Sequence, residues 1–333
     1  MQYETKNGEK GKNVKRPALY ILMVILLMAI LLTGCVKKTG TKPILIGASL
    51  LTMQDDFYIT LAKGLTDAAA AHPEMPLKVL IRNSDFKLNR QLGDIDDFMQ
   101  QGISLLIVSP TGPSAICPTL EEVNKKGVPV ITVDIKSTCP LVKTHVMSDD
   151  LLAGQVAGQF VADQLNGEGA IAIVTHPIYS SGINRVIGFR QVLQQYPRIH
   201  ILAELNAESS REKAIAVMDD LMMAHPEVNY VMGINDVMTL GAMAAVEGAG
   251  KSEQIKAVMI CGGQKEAFSR LKAGDPCLKG AALLYPYQIG AQAIEAAVQI
   301  LQGKPVPPEI LAPVKLITHE NAVELEAEWY GQK

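Results

Sequence analysis

Cysteine is scarce, at five in 333 residues, which excludes a small scaffold stapled by disulfides. Positive charge is not in excess either. Against 34 Asp and Glu stand 31 Lys and Arg, a formal net charge of −3, so no basic surface is available to displace counterions from nucleic acid. The six histidines are scattered with no pair at metal-ligand spacing, and neither a metal nor a cofactor is expected. No Gly-x-Ser-x-Gly elbow occurs, and Ser180-Ser181 has no evident base. Glycine (27) and proline (18) are near average, so collagen-like and low-complexity segments are excluded. The apolar run at 18–32 falls short of the ~20 residues that cross a bilayer as a helix. A relaxed phosphate-loop pattern at 245–252 follows a predicted helix instead of a strand, so Gly248 and Gly250 read as a helix stop.

What is present is a chain 48% hydrophobic, long enough for two domains or one large one. Its start is different in kind. Lys6, Lys10, Lys12, Lys15 and Arg16 precede the apolar run, which ends in Leu32-Thr33-Gly34-Cys35. A charged start, a short apolar stretch and small residues before a cleavage point read as a secretory signal. Leu-Thr-Gly-Cys is similar to the lipobox of bacterial lipoproteins. That resemblance implies cleavage before Cys35 and acylation of its thiol; the alternative is an uncleaved signal anchor. Both place the remainder outside the cytoplasm, at a membrane surface. Five of the bases and two of the acids lie in residues 1–34, so the remainder carries a net −6. Residues 35–42 read as a polar tether.

Beyond the tether, short apolar runs alternate with longer amphipathic ones. Strands are predicted at 44–49, 77–82, 105–109, 128–133, 170–175, 200–205, 230–233, 255–261 and 280–284, with helices between them. Runs apolar throughout are buried on both faces, and strand–helix alternation means parallel sheets covered by helices. The segment 143–150 breaks the rhythm and reads as a strand leaving a first lobe, with Ser148-Asp149-Asp150 capping the helix that opens a second. The expected fold is α/β, two doubly wound parallel-sheet lobes. Ligands of such sheets sit beyond the carboxyl ends of the strands. Those positions supply neutral polar groups and the aromatics Phe57, Tyr58, Tyr285 and Tyr287.

Phe57 and Tyr58 beside Asp55 and Asp56 suit a ligand with a C–H face and a hydroxyl rim, a sugar or cyclic polyol. The structural alternative makes Phe57 a core staple and one of the acids a helix cap. Asp134, at the end of 130–133, is poorly placed for packing and reads as a ligand contact or a loop-ordering carboxylate. In Asn235-Asp236 the amide suits a ligand and the acid suits a cap. Asp55 and Asp134 as an acid/base pair is the weaker reading, since nothing fixes their separation. In an oxidising compartment, Cys117 and Cys139 at neighbouring strand ends are expected to form a bridge, with Cys261 and Cys277 as free thiols.

These residues together resemble the ribose-binding-protein branch of the type I periplasmic binding proteins. The resemblance runs from about residue 43 to 317. It rests on 44–49 with Phe57-Tyr58, 100–103 leading to Val108-Ser109-Pro110, 127–134, and Ser148-Asp149-Asp150 before Gly154. It continues in Arg185-x-x-Gly188-Phe189, Ala224-His225-Pro226, Asn235-Asp236 and Gln288-Ile289-Gly290. It implies a signal peptide at 1–34, a first lobe of 43–148 with 285–312, and a second of 149–284 with 313–325. Three hinge crossings would join them, near Ser148, Leu284 and Ala312. It implies no enzyme activity but capture of a sugar-like solute by hinge closure, delivered as a monomer to an ABC permease. The rival is a sensor subunit presenting the solute to a histidine kinase or chemoreceptor. Asp55, Phe57, Tyr58, Ser109, Asp134 and Asn235 fall where sugar-contacting residues lie, and Cys261 stands where an aspartate is usual. Ile135 and Ile183 replace arginines, Leu284 a glutamine, and Ser209 an aromatic. A pocket that keeps its acids and loses its arginines implies a less hydroxylated, modified or amine-bearing solute rather than ribose.

Overall fold

A computed structural model describes residues 42–261 and 263–331. The chain divides into an N-terminal unit, Met1–Lys42, and a compact unit, Pro43–Lys333, which holds everything below. The signal segment and Cys35 lie outside the described residues. No described helix is long and apolar enough to cross a membrane.

The strand–helix rhythm is realised as two six-stranded sheets of matching order. The first is built from β1 (Ile44–Leu50), β2 (Leu77–Asn83), β3 (Leu105–Val108), β4 (Val130–Val133), β5 (Thr144–Ser148) and β11 (Glu309–Ala312), in the order β11-β5-β4-β3-β1-β2. The second holds β6 (Glu168–Thr175), β7 (Arg198–Asn206), β8 (Tyr230–Gly233), β9 (Lys256–Cys261), β10 (Leu278–Leu284) and β12 (Val314–Thr318), ordered β12-β10-β9-β8-β6-β7. Each contains the 2-1-3-4-5 order of doubly wound sheets, whose switch point lies between its first and third strands. The apolar runs of β3, β4 and β8 are buried along their whole length, as helices on both faces require.

Among the described residues ten helices cover the sheets: α1 (Asp56–Ala70), α2 (Leu88–Gln100), α3 (Cys117–Lys125), α4 (Asp150–Gln164), α5 (Ser180–Leu193), α6 (Arg211–Ala224), α7 (Asp236–Gly248), α8 (Lys265–Ala273), α9 (Pro286–Leu301) and α10 (Ala322–Gly331). Helix α1 buries Tyr58, Leu61, Leu65 and Ala69, one stripe at helical spacing, against the first sheet. Helices α4 and α5 cross so closely that a Cβ on Gly154 would stand 2.0 Å from the Arg185 carbonyl oxygen, and one on Gly188 2.0 Å from that of Leu151. Only glycine permits that approach, and it fixes where Arg185 enters the space between the sheets.

The chain passes between the sheets three times, after β5, after β10 and between β11 and β12. Strand β12 departs from the all-parallel expectation by pairing antiparallel with β10. Strand β11 runs parallel to β5, and only Pro313 separates it from β12. The segment therefore leaves one sheet by its carboxyl edge and enters the other by the same kind of edge, against the direction of its strands. Helix α10 adds Trp329 to the second core, beyond the boundary expected at residue 325.

The expected Cys117–Cys139 bridge is not formed. Both are free thiols, as is Cys277. They lie near enough for a thiol–thiol hydrogen bond, and burial pushes the Cys139 thiol up, which keeps it protonated and a poor nucleophile.

Candidate functional site

A cavity of about 320 Å³ opens between the carboxyl ends of the two sheets. That is the lower end of the range for small-molecule sites and suits a monosaccharide-sized solute. The first sheet contributes Asp55, Phe57, Tyr58, Asp134 and Ile135, and the second His176, Tyr179, Arg185, Ser209, Asn235 and Asp236.

Asp55 occupies the N-cap of α1 with extended backbone (φ −117°, ψ 157°) and accepts from the Tyr58 N–H at 3.0 Å. Asp55 therefore caps the helix and also lines the cavity. Burial pushes its carboxyl up to about 6; the Tyr58 amide opposes that, while the charges of Asp236 and Asp56 add to it. Phe57 reaches both cores and meets Tyr58 edge-on, with centroids 5.3 Å apart.

Asp134 follows β4 in the left-handed region (φ 59°), which a non-glycine residue adopts at a cost. Its N–H donates to the Val146 carbonyl at 2.9 Å, and Oδ2 accepts from the Tyr58 hydroxyl. It is 7% exposed. Burial raises its carboxyl to about 7, against the Tyr58 hydrogen bond; Asp150 and Asp55 raise it further and Arg185 lowers it.

Ser109 does not line the cavity. It is fully buried, 3.0 Å from the Tyr58 hydroxyl, so the phenol stands between it and the solute space. Asn235, not Asp236, takes the cap, and both line the cavity. Asn235 has the extended backbone of an N-cap (φ −154°, ψ 172°), and its side chain accepts from Met238 N–H, while Asp236 enters the first turn of α7 and lines the cavity. Cys261 ends β9, and its side chain lies outside what the structure describes. Tyr285 and Tyr287 are not in the cavity wall: Tyr285 is buried ahead of α9, and Tyr287 donates to Asp67 at 3.2 Å beneath the Lys63 ammonium.

Among the cavity residues not singled out as ligand contacts are His176, Tyr179 and Arg185, although Tyr179 falls within the strand-end positions 177–181. His176 stands one residue past β6, its Nδ1 3.0 Å from Ser209 Oγ, and burial lowers its pKa. Tyr179 sits edge-on to it at 5.3 Å, just ahead of α5. Both follow from the rule that strand ends face the ligand, applied to β6. Arg185 had no such signal, being inside a helix. Its Nε donates to Asp150 Oδ1 at 2.8 Å and a terminal nitrogen donates to the Ile234 carbonyl at 2.8 Å. Burial alone would lower its pKa, but Asp150, Asp134 and Asp236 raise it and keep it charged.

No group of His, Cys, Asp and Glu among the described residues is placed to hold a metal ion. Aromatic side chains contributed from both sheets and carboxylates lining the same space make the arrangement one suited to recognition.

Comparison with known proteins agrees with this geometry. Residues 46–305 match the periplasmic binding protein domain family. The chain is 32% identical over 313 residues to the ribose import binding protein of Bacillus subtilis, covering 90% of this chain and 99% of that protein. Its fold is similar to the fructose-binding periplasmic domain of a hybrid two-component system (25% identity, TM-score 0.79, covering 86% of this chain and 95% of that one). It is also similar in fold to an ABC transporter solute-binding protein of Bacillus halodurans with bound myo-inositol (24% identity, TM-score 0.78, covering 87% and 100%).

Proposed function

The chain belongs to the periplasmic binding protein family, and from that premise we propose that it captures a sugar or sugar-like solute by hinge closure and delivers it to an ABC permease. It is a binding protein and not an enzyme, as its family and relatives are. One observation carries the solute class: a monosaccharide-sized cavity with Phe57 on one wall, Tyr179 on the other and buried carboxylates between. Rings cover C–H faces and carboxylates take two hydroxyls each. Closure needs only contacts made to both lobes at once, which stabilise the shut state over the open one.

Thermal-shift and calorimetric screening of monosaccharides and polyols tests this reading. At least one is expected to bind at micromolar affinity, about −8 kcal/mol, with compaction in solution scattering and loss on Phe57→Ala. A panel that leaves both stability and scattering unchanged overturns it.

The same proposal includes export, cleavage before Cys35, acylation of that cysteine, and a monomer held to the membrane surface by residues 35–42. Metabolic labelling with a fatty acid that persists in a Cys35→Ala variant would refute the anchor. In that compartment a thiol–disulfide oxidant would close Cys117 on Cys139, taking up two electrons and two protons, and a 2 Da fall in mass reads it. A sensor subunit is the second reading, favoured by the likeness to the two-component periplasmic domain. Crosslinking in membranes to a permease supports transport, and crosslinking to a kinase supports sensing.

A further inference from the structure

The solute cavity holds more negative charge than its own cation balances. Asp55 and Asp134 line it, and Arg185, held by Asp150, is the guanidinium among its lining residues. That guanidinium is engaged: Nε is held by Asp150, itself 1% exposed, and a terminal nitrogen by the Ile234 carbonyl. Its charge is matched before the cavity acids are counted. Its pull on Asp134 is weaker than the push of Asp150.

Asp134 supplies an independent sign of a ligand. It is more than nine-tenths buried, and Oδ2 accepts the Tyr58 hydroxyl, whereas Oδ1 takes no hydrogen bond from any described residue. Its backbone stands at φ 59°, and the residue lines the cavity. Asp55 is near enough to repel it, and takes its hydrogen bonds from the backbone N–H groups of Tyr58 and Phe57. Two carboxylates of one lobe thus face one space without an ion pair of their own.

We propose that the solute carries a protonated amine on its sugar or polyol frame, with the ammonium seated between Asp55 and Asp134 and the C–H face against Phe57. This rests on the sugar-like reading above and narrows it. An ammonium brings three donors and no acceptor, which matches carboxylate oxygens left open. Hydrogen bonds between ionised partners are roughly twice as strong as neutral ones, and an ammonium favours the charged form of both carboxyls, which burial otherwise disfavours and a neutral hydroxyl does not restore. The other groups facing these acids are Tyr58 on α1, Asp150 on α4, Tyr179 and Arg185 at α5, and Asp236 on α7. None of these supplies a second cation.

Matched pairs test the inference by calorimetry on the purified protein at pH 7: D-glucosamine with D-glucose, D-galactosamine with D-galactose, 1-amino-1-deoxy-D-sorbitol with D-sorbitol, and an aminocyclitol with myo-inositol. At least one amine is expected to bind about tenfold or more tighter than its hydroxyl partner. Asp55→Asn and Asp134→Asn should each erase that preference, and Asp134→Glu should keep part of it. Neutral members binding as well as or better than their amine partners overturn the amine and leave the sugar-like reading standing. A preference that survives both Asn variants overturns the seat assigned to it. No binding by either member of any pair overturns both readings.

Discussion

The Tyr58 hydroxyl, on the first helix, donates to Asp134 Oδ2, 76 residues away on the loop after the fourth strand. One phenol thereby joins the helix that carries Phe57 to the carboxylate at the cavity floor, with Ser109 Oγ 3.0 Å behind it. Tyr58→Phe preserves the ring and removes the donor. It is expected to cost about 1–3 kcal/mol, because two buried polar groups lose a partner. Urea unfolding reads that loss, and calorimetry with the captured solute should show weaker binding. An unchanged unfolding midpoint would refute the coupling.

Stability without solute should depend on pH with a definite sign. Asp134 titrates at about 7 in the folded chain and near 3.9 when unfolded, so at intermediate pH the folded state holds the extra proton. Stability from this group is complete below about 4 and is lost as pH rises through about 7. Asp55, raised to about 6, acts in the same direction. Burial lowers His145 to about 4, and its contribution is lost instead as pH falls below 6.5. Across the interval from pH 6.5 to 8, His72, raised by its hydrogen bonds to Glu74 and Glu295, adds to the carboxylates, and the Asp134→Asn comparison separates them. The melting temperature is expected to fall across this interval, and Asp134→Asn to flatten the fall.

Removing the Arg185 side chain as Arg185→Met strands Asp150, whose Oδ2 already lacks a hydrogen-bond partner. A buried charge stripped of its counterion costs about 3–5 kcal/mol. The double variant Arg185→Met with Asp150→Asn should regain part of that in urea unfolding. Loss in the double equal to or greater than in the single would show that packing, not charge, dominates.

The α4–α5 crossing is tested by Gly154→Ala. Its new methyl meets the Arg185 carbonyl at 2.0 Å, a backbone atom that cannot rotate away. Overpacking of this kind costs about 1–3 kcal/mol, and the displaced Arg185 should weaken solute binding as well. Gly93→Ala, inside α2 with nothing within 4 Å, is the control expected to leave binding unchanged and to raise stability by up to about 1 kcal/mol.

Much of the fold was legible because buried parallel strands are continuous apolar runs, and β1, β3, β4 and β8 announce themselves in that way. Strands β11 and β12 did not. Their residues alternate between exposed and buried at the sheet edges, and Pro313 interrupts them. At the site, Asp55, Phe57 and Asp134 were legible as chemistry at strand ends. Asn235 and Asp236 were legible as a pair but not in their roles, since backbone geometry decides which residue caps. Ser109 was legible at a strand end, but not that the Tyr58 phenol of another element lies against it. Arg185 was quoted for its motif, but its position depends on two glycines 34 residues apart that let helices touch, a relation that a linear pattern does not display.

Strand β11 completes the edge of the first sheet, yet it is encoded after every strand of the second except β12. On the ribosome, β5 waits with one side unpaired until residue 312 has emerged. An open flank of that kind is a template for another chain. The export proposed above would keep the polypeptide unfolded until most of it is made, and so would close the interval in which nascent copies could pair through it.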